Sequence, residues 1–156
     1  MRLTIAAVGR LRAGPELTLI EDYLGRAGKA GRPLALGPFD VIEVDERKAR
    51  DKATQSQRLI EAAPDGAVLV AMDERGKTMA SPEFASLLAR ERDGGSPALA
   101  FLIGGADGLD AAASKACTHR ISFGPMVWPH MLARVMLAEQ LYRAVSILSG
   151  SPYHRA

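Results

Sequence analysis

The sequence predicts an α/β fold, a mostly parallel sheet with helices on both faces. Segments of β-forming composition alternate with helical ones along the whole chain, the pattern of βα units. Two of the β segments, AVLVAM (67–72) and ALAFLI (98–103), are continuously apolar and bounded by turn residues, as strands covered on both faces must be. The 156 residues contain no linker, internal repeat or low-complexity tract, so a single domain over 1–156 is the simplest description.

Taken in order, RLTIAAV (2–8) is a strand ended by Gly9, and Pro15 opens a helix through LTLIEDYLGRA (17–27). FDVIEV (39–44) alternates and is rich in β-branched residues, which predicts the second strand. Glu46 to Ala63 is charged and poor in β-formers and reads as a helix, stopped by Pro64, Asp65 and Gly66. AVLVAM is followed by a polar loop, DERGKTMA (73–80). Ser81, before Pro82 and Glu83, is placed to cap a helix through Arg92, closed by Gly94 and Gly95. ALAFLI leads through a glycine-rich turn, GGADGL (104–109), into a short Ala-rich helix. ISF (121–123) is the fifth strand, GPMVWP (124–129) a loop, and 130–148 a long helix. That helix is apolar over more than the roughly 100° stripe one layer covers. The surplus points to a second partner, most simply another copy of the chain.

Composition excludes several classes. Cys117 is the one cysteine, so there is no intramolecular disulfide and no thiolate cluster. His119, His130 and His154 are far apart in sequence, and no metal site is expected. No apolar run reaches membrane-spanning length, and the opening is unlike a signal peptide, so a cytoplasmic protein is expected. The net charge of +2 does not announce nucleic-acid binding. Arg47, Lys48, Arg50, Lys52 and Arg58, diluted by Asp45, Glu46 and Asp51, read first as a solvated helix face, and Arg10 with Arg12 as a surface loop.

Ligands in parallel sheets sit beyond the carboxyl ends of the strands. Three such ends carry unusual residues: Met72, Gly104 with Gly105, and the loop from Phe123 to Trp128. IGGADG has neither dinucleotide nor P-loop spacing. Its glycines either open main-chain N–H groups to a ligand or form a tight strand-to-helix turn. GPMVWP, rigid and apolar, suits a flat heteroaromatic group or, equally, a crossover under the last helix. In the tail, Tyr153, His154 and Arg155 supply a ring, a group titrating near neutrality and a guanidinium, the kit for gripping an unpaired RNA base. His130 reads as a helix-start residue, and Glu139 with Arg143 as an i,i+4 ion pair.

Taken together, LTIAAVGRL, AMDERGK, FLIGGADGL, WPHMLARVMLAEQLYRA and PYHR resemble the SPOUT-class methyltransferases of the RlmH type, which act on pseudouridine in 23S ribosomal RNA. The resemblance spans nearly the whole chain. It implies a trefoil knot in the carboxyl-terminal part, S-adenosyl-L-methionine (S-adenosylmethionine) as cofactor, and a homodimer in which each site is completed by the partner. It implies cofactor contacts at Met72, Gly104, Phe123, Gly124, Pro125, Met126, Val127 and Trp128. Met72 stands where Leu is more usual and Ala106 where the family varies, and both leave main-chain contacts possible. Ala156 replaces an acidic or basic end.

The implied reaction places a methyl group on N3 of a pseudouridine of 23S rRNA in the assembled ribosome. His154 is the candidate base for the N3 proton, Tyr153 and Arg155 position the nucleotide, and Arg143 lies near the phosphate. Two other readings stay open: a non-catalytic RNA- or ribosome-binding module built on the same loops and tail, and an enzyme of this class acting on transfer RNA.

Overall fold

The computed structural model describes residues 1–155, and Ala156 lies outside them. The elements are β1 (Arg2–Val8), α1 (Pro15–Gly31), a 3-10 turn (Arg32–Leu34), β2 (Phe39–Val44), α2 (Lys52–Ala62) and β3 (Val68–Thr78). They continue with α3 (Ser81–Asp93), β4 (Ala98–Ile103), α4 (Ala111–Ala116), β5 (His119–Ser122) and α5 (His130–Ser149). The five strands form one sheet in the order β2-β1-β4-β3-β5, and every pairing is parallel. All five carboxyl ends therefore emerge at one edge.

The alternation of side chains along each strand divides the core in two. Leu3, Ile5, Leu99 and Phe101 face α1, α3 and α5, whose Ile20, Leu24, Leu88, Leu137 and Leu141 complete that layer. Ala6, Val8, Ala100 and Leu102 face the other way, against Leu59 of α2 and the half-buried Leu109 and Cys117 around α4. The small residues on this second side suit its thinner layer. β4 is buried along its whole length, which explains the unbroken apolar run ALAFLI.

Four sequence expectations change in detail. α2 begins at Lys52 and not at Glu46, because Asp51 caps it, its carboxylate accepting from the Thr54 N–H (2.7 Å) and hydroxyl (2.7 Å). The cap of α3 is Ala80 and not Ser81. Glu83 reaches back to accept from the Ala80 N–H (3.2 Å), which leaves the Ser81 hydroxyl free to donate to Gln140 Oε1 (2.8 Å). β5 is His119–Ser122 and not 121–123.

The fourth change bears on the site. DERGKTMA is not simply a loop: β3 pairs with β5 up to Met72 opposite Ile121, leaves the sheet for residues 73–76, and returns with Lys77 opposite the same Ile121. Gly76 permits the return, since a Cβ there would lie 2.7 Å from the Arg120 carbonyl carbon and the Ile121 nitrogen.

Helix α5 uses most of its apolar surface inside the chain. It packs between α1 and α3 and buries Leu137, Ala138, Leu141, Ala144 and Val145. The apolar surplus read from its sequence narrows to its first turn, where Met131 and Leu132 are exposed.

Candidate active site at the strand carboxyl ends

The carboxyl ends of β3, β4 and β5 enclose a cavity of about 640 Å³. Met72, Ile103, Phe123, Met126, Val127 and Trp128 give it apolar walls, and the turn 104–108 supplies main chain. Polar groups come from the excursion of β3 (Asp73, Glu74, Arg75) and from Asp107, Lys115 and Arg120. Of the residues singled out in the sequence, Met72, Gly104, Phe123, Gly124, Met126, Val127 and Trp128 all line this one cavity, and Pro125 stiffens the loop between them. His130, read from sequence as a helix-start residue, is the first residue of α5 and also lines the cavity.

Local structure explains the positions. A Cβ on Gly104 would lie 2.4 Å from the backbone of Gly108, so the glycine is demanded by the turn itself, whose Gly105 and Gly108 are bridged. The turn hands the chain to α4, capped by Asp110 accepting from the Ala113 N–H (2.8 Å), while the Asp110 N–H donates to the buried Ser56 hydroxyl (2.9 Å). After β5, Ser122 Oγ accepts from the Gly124 N–H (3.0 Å) and bends the chain into the loop. Met126 and Val127 are 70% and 83% exposed, so the outer side of the loop is open and apolar, and Met131 and Leu132 in the next turn are exposed as well.

Sequence reading missed the excursion residues and the anchor of the loop. Asp73 accepts from the Arg75 N–H (3.0 Å) and from Ser114 Oγ (3.3 Å), which ties the excursion to α4. Arg134, one turn into α5, is buried. Its guanidinium donates to Glu43 Oε2 (2.8 Å) and to the carbonyls of Gly9 (3.0 Å) and Val8 (3.3 Å), while Nε has no partner. Glu43 Oε2 also accepts from the Leu11 N–H (2.7 Å). The latch fixes the first turn of α5, and with it His130 and the loop before it, against the ends of β1 and β2.

The tail forms a second cluster on the far half of α5. Glu139 Oε1 accepts from Arg143 Nε (3.0 Å) and Nη2 (2.6 Å) and from the Tyr153 hydroxyl (2.9 Å). The guanidinium of Arg143 lies 4.9 Å from the centre of the Tyr153 ring, and the Tyr142 ring is 4.6 Å away on a tilt. Burial first, and then the Glu139 carboxylate, push the Tyr153 phenol up to about 12. Tyr153 is thus a tail anchor packed inside its own chain, and Arg143 is held by Glu139. His154 receives Arg143 Nη1 at Nδ1 (3.2 Å), and Arg155 is exposed. Thirteen residues separate His130 from Arg143, about 20 Å along the helix axis.

No group of three or more His, Cys, Asp or Glu side chains able to hold a metal ion occurs among the described residues, and no helix there is long and apolar enough to cross a membrane. A family model described as "Predicted SPOUT methyltransferase" matches residues 1–154. The chain belongs to the SPOUT methyltransferase family. Two relatives, each named ribosomal RNA large subunit methyltransferase H, are 62% identical (Dinoroseobacter shibae) and 56% identical (Ruegeria sp.) over 155 residues, covering 99% of both chains in each case. The structure of a probable methyltransferase from Bordetella pertussis matches the SPOUT chain with a TM-score of 0.51 at 16% identity, over 92% of this chain and 96% of that one, which extends the likeness to the fold.

Proposed function

We propose that the protein transfers a methyl group from S-adenosylmethionine to N3 of a pseudouridine of large-subunit ribosomal RNA, with the assembled ribosome as substrate. The observation that carries the reading is the single cavity formed by three strand ends in a chain that aligns end to end with large-subunit methyltransferases. Its volume of about 640 Å³ is in the usual range for small-molecule sites. Its apolar walls and flat Trp128 suit an adenine ring, and its lining of both carboxylates (Asp73, Glu74, Asp107) and cations (Arg75, Lys115, Arg120) suits a ligand with a zwitterionic amino-acid end. Met72, Gly104, Phe123, Gly124, Met126, Val127 and Trp128 would hold the cofactor, with Pro125 keeping the loop rigid. When bound, S-adenosylmethionine supplies a methyl group already activated by the sulfonium.

The work left to the chain is alignment, which contributes on the order of 7–11 kcal/mol in favourable cases. His154 and Arg155 reach the nucleotide, while Tyr153 and Arg143 hold the tail that carries them. Because Arg143, which holds His154, stands about 15 Å along α5 from Ala133 at the cavity wall, one copy does not bring the two together. A homodimer in which the tail of one subunit completes the cavity of the other removes the difficulty. The exposed Met126, Val127, Met131 and Leu132 beside the cavity are where the second copy would seat. A cytoplasmic enzyme follows from such a substrate.

The test is transfer of labelled methyl from S-adenosylmethionine to intact ribosomes, isolated large subunits and bulk transfer RNA from cells lacking the protein. Label confined to large-subunit RNA at N3 of pseudouridine is expected. Label on transfer RNA alone, or none together with no change in Trp128 fluorescence on adding the cofactor, would overturn the reading. Trp128 is the one tryptophan of the chain, so the fluorescence signal belongs to the cavity loop.

A further inference from the structure

We infer that Glu139 is a positioning residue that, through Arg143, makes His154 a hydrogen-bond donor to the nucleotide and not the base that takes its proton. The inference rests on the methyl-transfer reading and assigns the tail its part in it.

The argument begins with the inventory of donors. A guanidinium has N–H groups and no acceptor. Arg143 Nη1 stands 3.2 Å from His154 Nδ1, so Nδ1 is the acceptor of that hydrogen bond. A neutral imidazole whose Nδ1 accepts carries its proton on Nε2. The nitrogen that His154 offers outward is therefore an N–H, which can donate but has no lone pair with which to receive a proton.

The arrangement is held from behind. Glu139 Oε1 takes two hydrogen bonds from Arg143, at Nε (3.0 Å) and Nη2 (2.6 Å), and a third from Tyr153 (2.9 Å), while Oε2 takes the Gln140 side-chain N–H (2.9 Å). With two guanidinium nitrogens bound by Glu139, Nη1 is the one left for His154. The charged and titratable groups around the imidazole are Arg143 itself, Glu139 behind it and Tyr153 next in the chain, with Tyr23 of α1 reached through the Tyr142 ring. Among the described residues no carboxylate hydrogen-bonds to His154, whose one partner there is Arg143.

A donor at this point has a use. Loss of the N3 proton leaves an electron pair that is delocalised onto the two carbonyl oxygens flanking N3. An N–H placed on one of those oxygens stabilises the charge as it forms, in the way of an oxyanion hole. The N3–H bond breaks and the proton leaves to water; the pair left on N3 forms the new bond to the methyl carbon while the methyl–sulfonium bond breaks and its pair stays on sulfur, and His154 keeps its own proton throughout.

The experiment is single-turnover methyl transfer to unmodified ribosomes from about pH 5.5 to pH 8.5, spanning the ordinary histidine range. It compares the wild type with His154→Gln, which keeps an N–H near the Nε2 position but takes no proton, and His154→Ala, which has neither property. A donor role predicts His154→Gln within about tenfold of wild type with the same rate–pH profile, and His154→Ala slower by about 10²-fold. A base role predicts that both variants lose about 10²–10⁴-fold. It also predicts a break in the wild-type rate–pH profile that both variants lack; that result would overturn the inference. For Glu139→Gln, a kcat lowered several-fold when His154 is present but nearly unchanged in the His154→Ala background is expected of a residue that acts through the donor. An equal loss in both backgrounds would remove Glu139 from that part. An inactive wild type would instead sink the methyltransferase reading, so the two failures are distinct.

Discussion

Replacing Arg134 by Met tests whether the latch under α5 carries the stability of the site region. The guanidinium is 2% exposed and its partner Glu43 is 33% exposed. Methionine fills most of the volume but returns nothing to Glu43 or to the carbonyls of Gly9 and Val8. Removing one member of a fully buried pair costs about 3–5 kcal/mol. Water can reach the carboxylate of Glu43, and the Leu11 N–H still donates to it, so the expected cost is lower, about 2–4 kcal/mol. For a chain of this size that corresponds to a melting temperature lower by about 5–12 °C. Urea unfolding at fixed protomer concentration, followed by circular dichroism, measures it. Adding Glu43→Gln removes the stranded charge, so the double variant should lose less than the sum of the single losses, with a coupling of about 1–2 kcal/mol. A loss below about 1 kcal/mol for Arg134→Met, or strict additivity, would refute the reasoning and leave Arg134 a well-packed side chain with interchangeable polar contacts.

Two glycine substitutions of opposite sign test the close approach of β3 to β5. Gly76→Ala should cost about 1–3 kcal/mol because its Cβ meets the backbone of β5, whereas Gly28→Ala in α1 meets nothing within 4 Å and should stabilise by about 0.5–1 kcal/mol; thermal melts decide both. Hydrogen bonds from His119 first and then from Ser96 hold the Glu91 carboxyl below its ordinary 4.5. A carboxyl lowered in the folded state contributes stability that is full above the ordinary value and lost as pH falls through the lowered one. The urea midpoint of the wild type should therefore fall more steeply below pH 4.5 than that of Glu91→Gln. Burial pushes the Cys117 thiol up to about 11, so Ellman's reagent should react slowly with the folded protein and fast in urea. Equal rates would place the thiol at the surface.

The strands and the gathering of the site were legible for related reasons. Continuous apolar runs identify strands buried on both faces, and a parallel sheet brings Met72, Gly104 and Phe123 to one edge whatever the strand order. The order β2-β1-β4-β3-β5 was not legible, because nothing local in a strand names its neighbour. The excursion of β3 was hidden for the same reason: only the pairing of Met72 and Lys77 with the same Ile121 reveals that DERG leaves the sheet and returns. Arg134 was not legible as an anchor, because its partners, two carbonyls and a carboxylate, come from the ends of β1 and β2, 91 or more residues away in sequence. The cap of α3 turned on a single choice, whether Ser81 or Glu83 would satisfy the amino end, and the longer side chain won because Ser81 is drawn to Gln140. The tail motif was visible as a set of residue types, but not that Tyr153 would turn inward.

The separation of cavity and tail along α5 gives a test of the two-copy site in which the alternatives differ in kind. Ala106→Trp places a large ring on an exposed turn residue that lines the cavity and should block it without disturbing the core. His154→Ala disables the tail. Each variant alone should be slow. If the tail acted on the cavity of its own chain, every chain in a mixture would carry one defect and the mixture would stay slow. If it acts across a dimer, a mixed pair has one site with both defects and one with neither. Random pairing of equal amounts makes half the dimers mixed, so the mixture should regain about a quarter of wild-type activity after subunit exchange. Failure to regain activity, with exchange shown by a tagged subunit, would refute the two-copy site. The tail would then have to leave Glu139 and cross about 15 Å along α5 within its own chain.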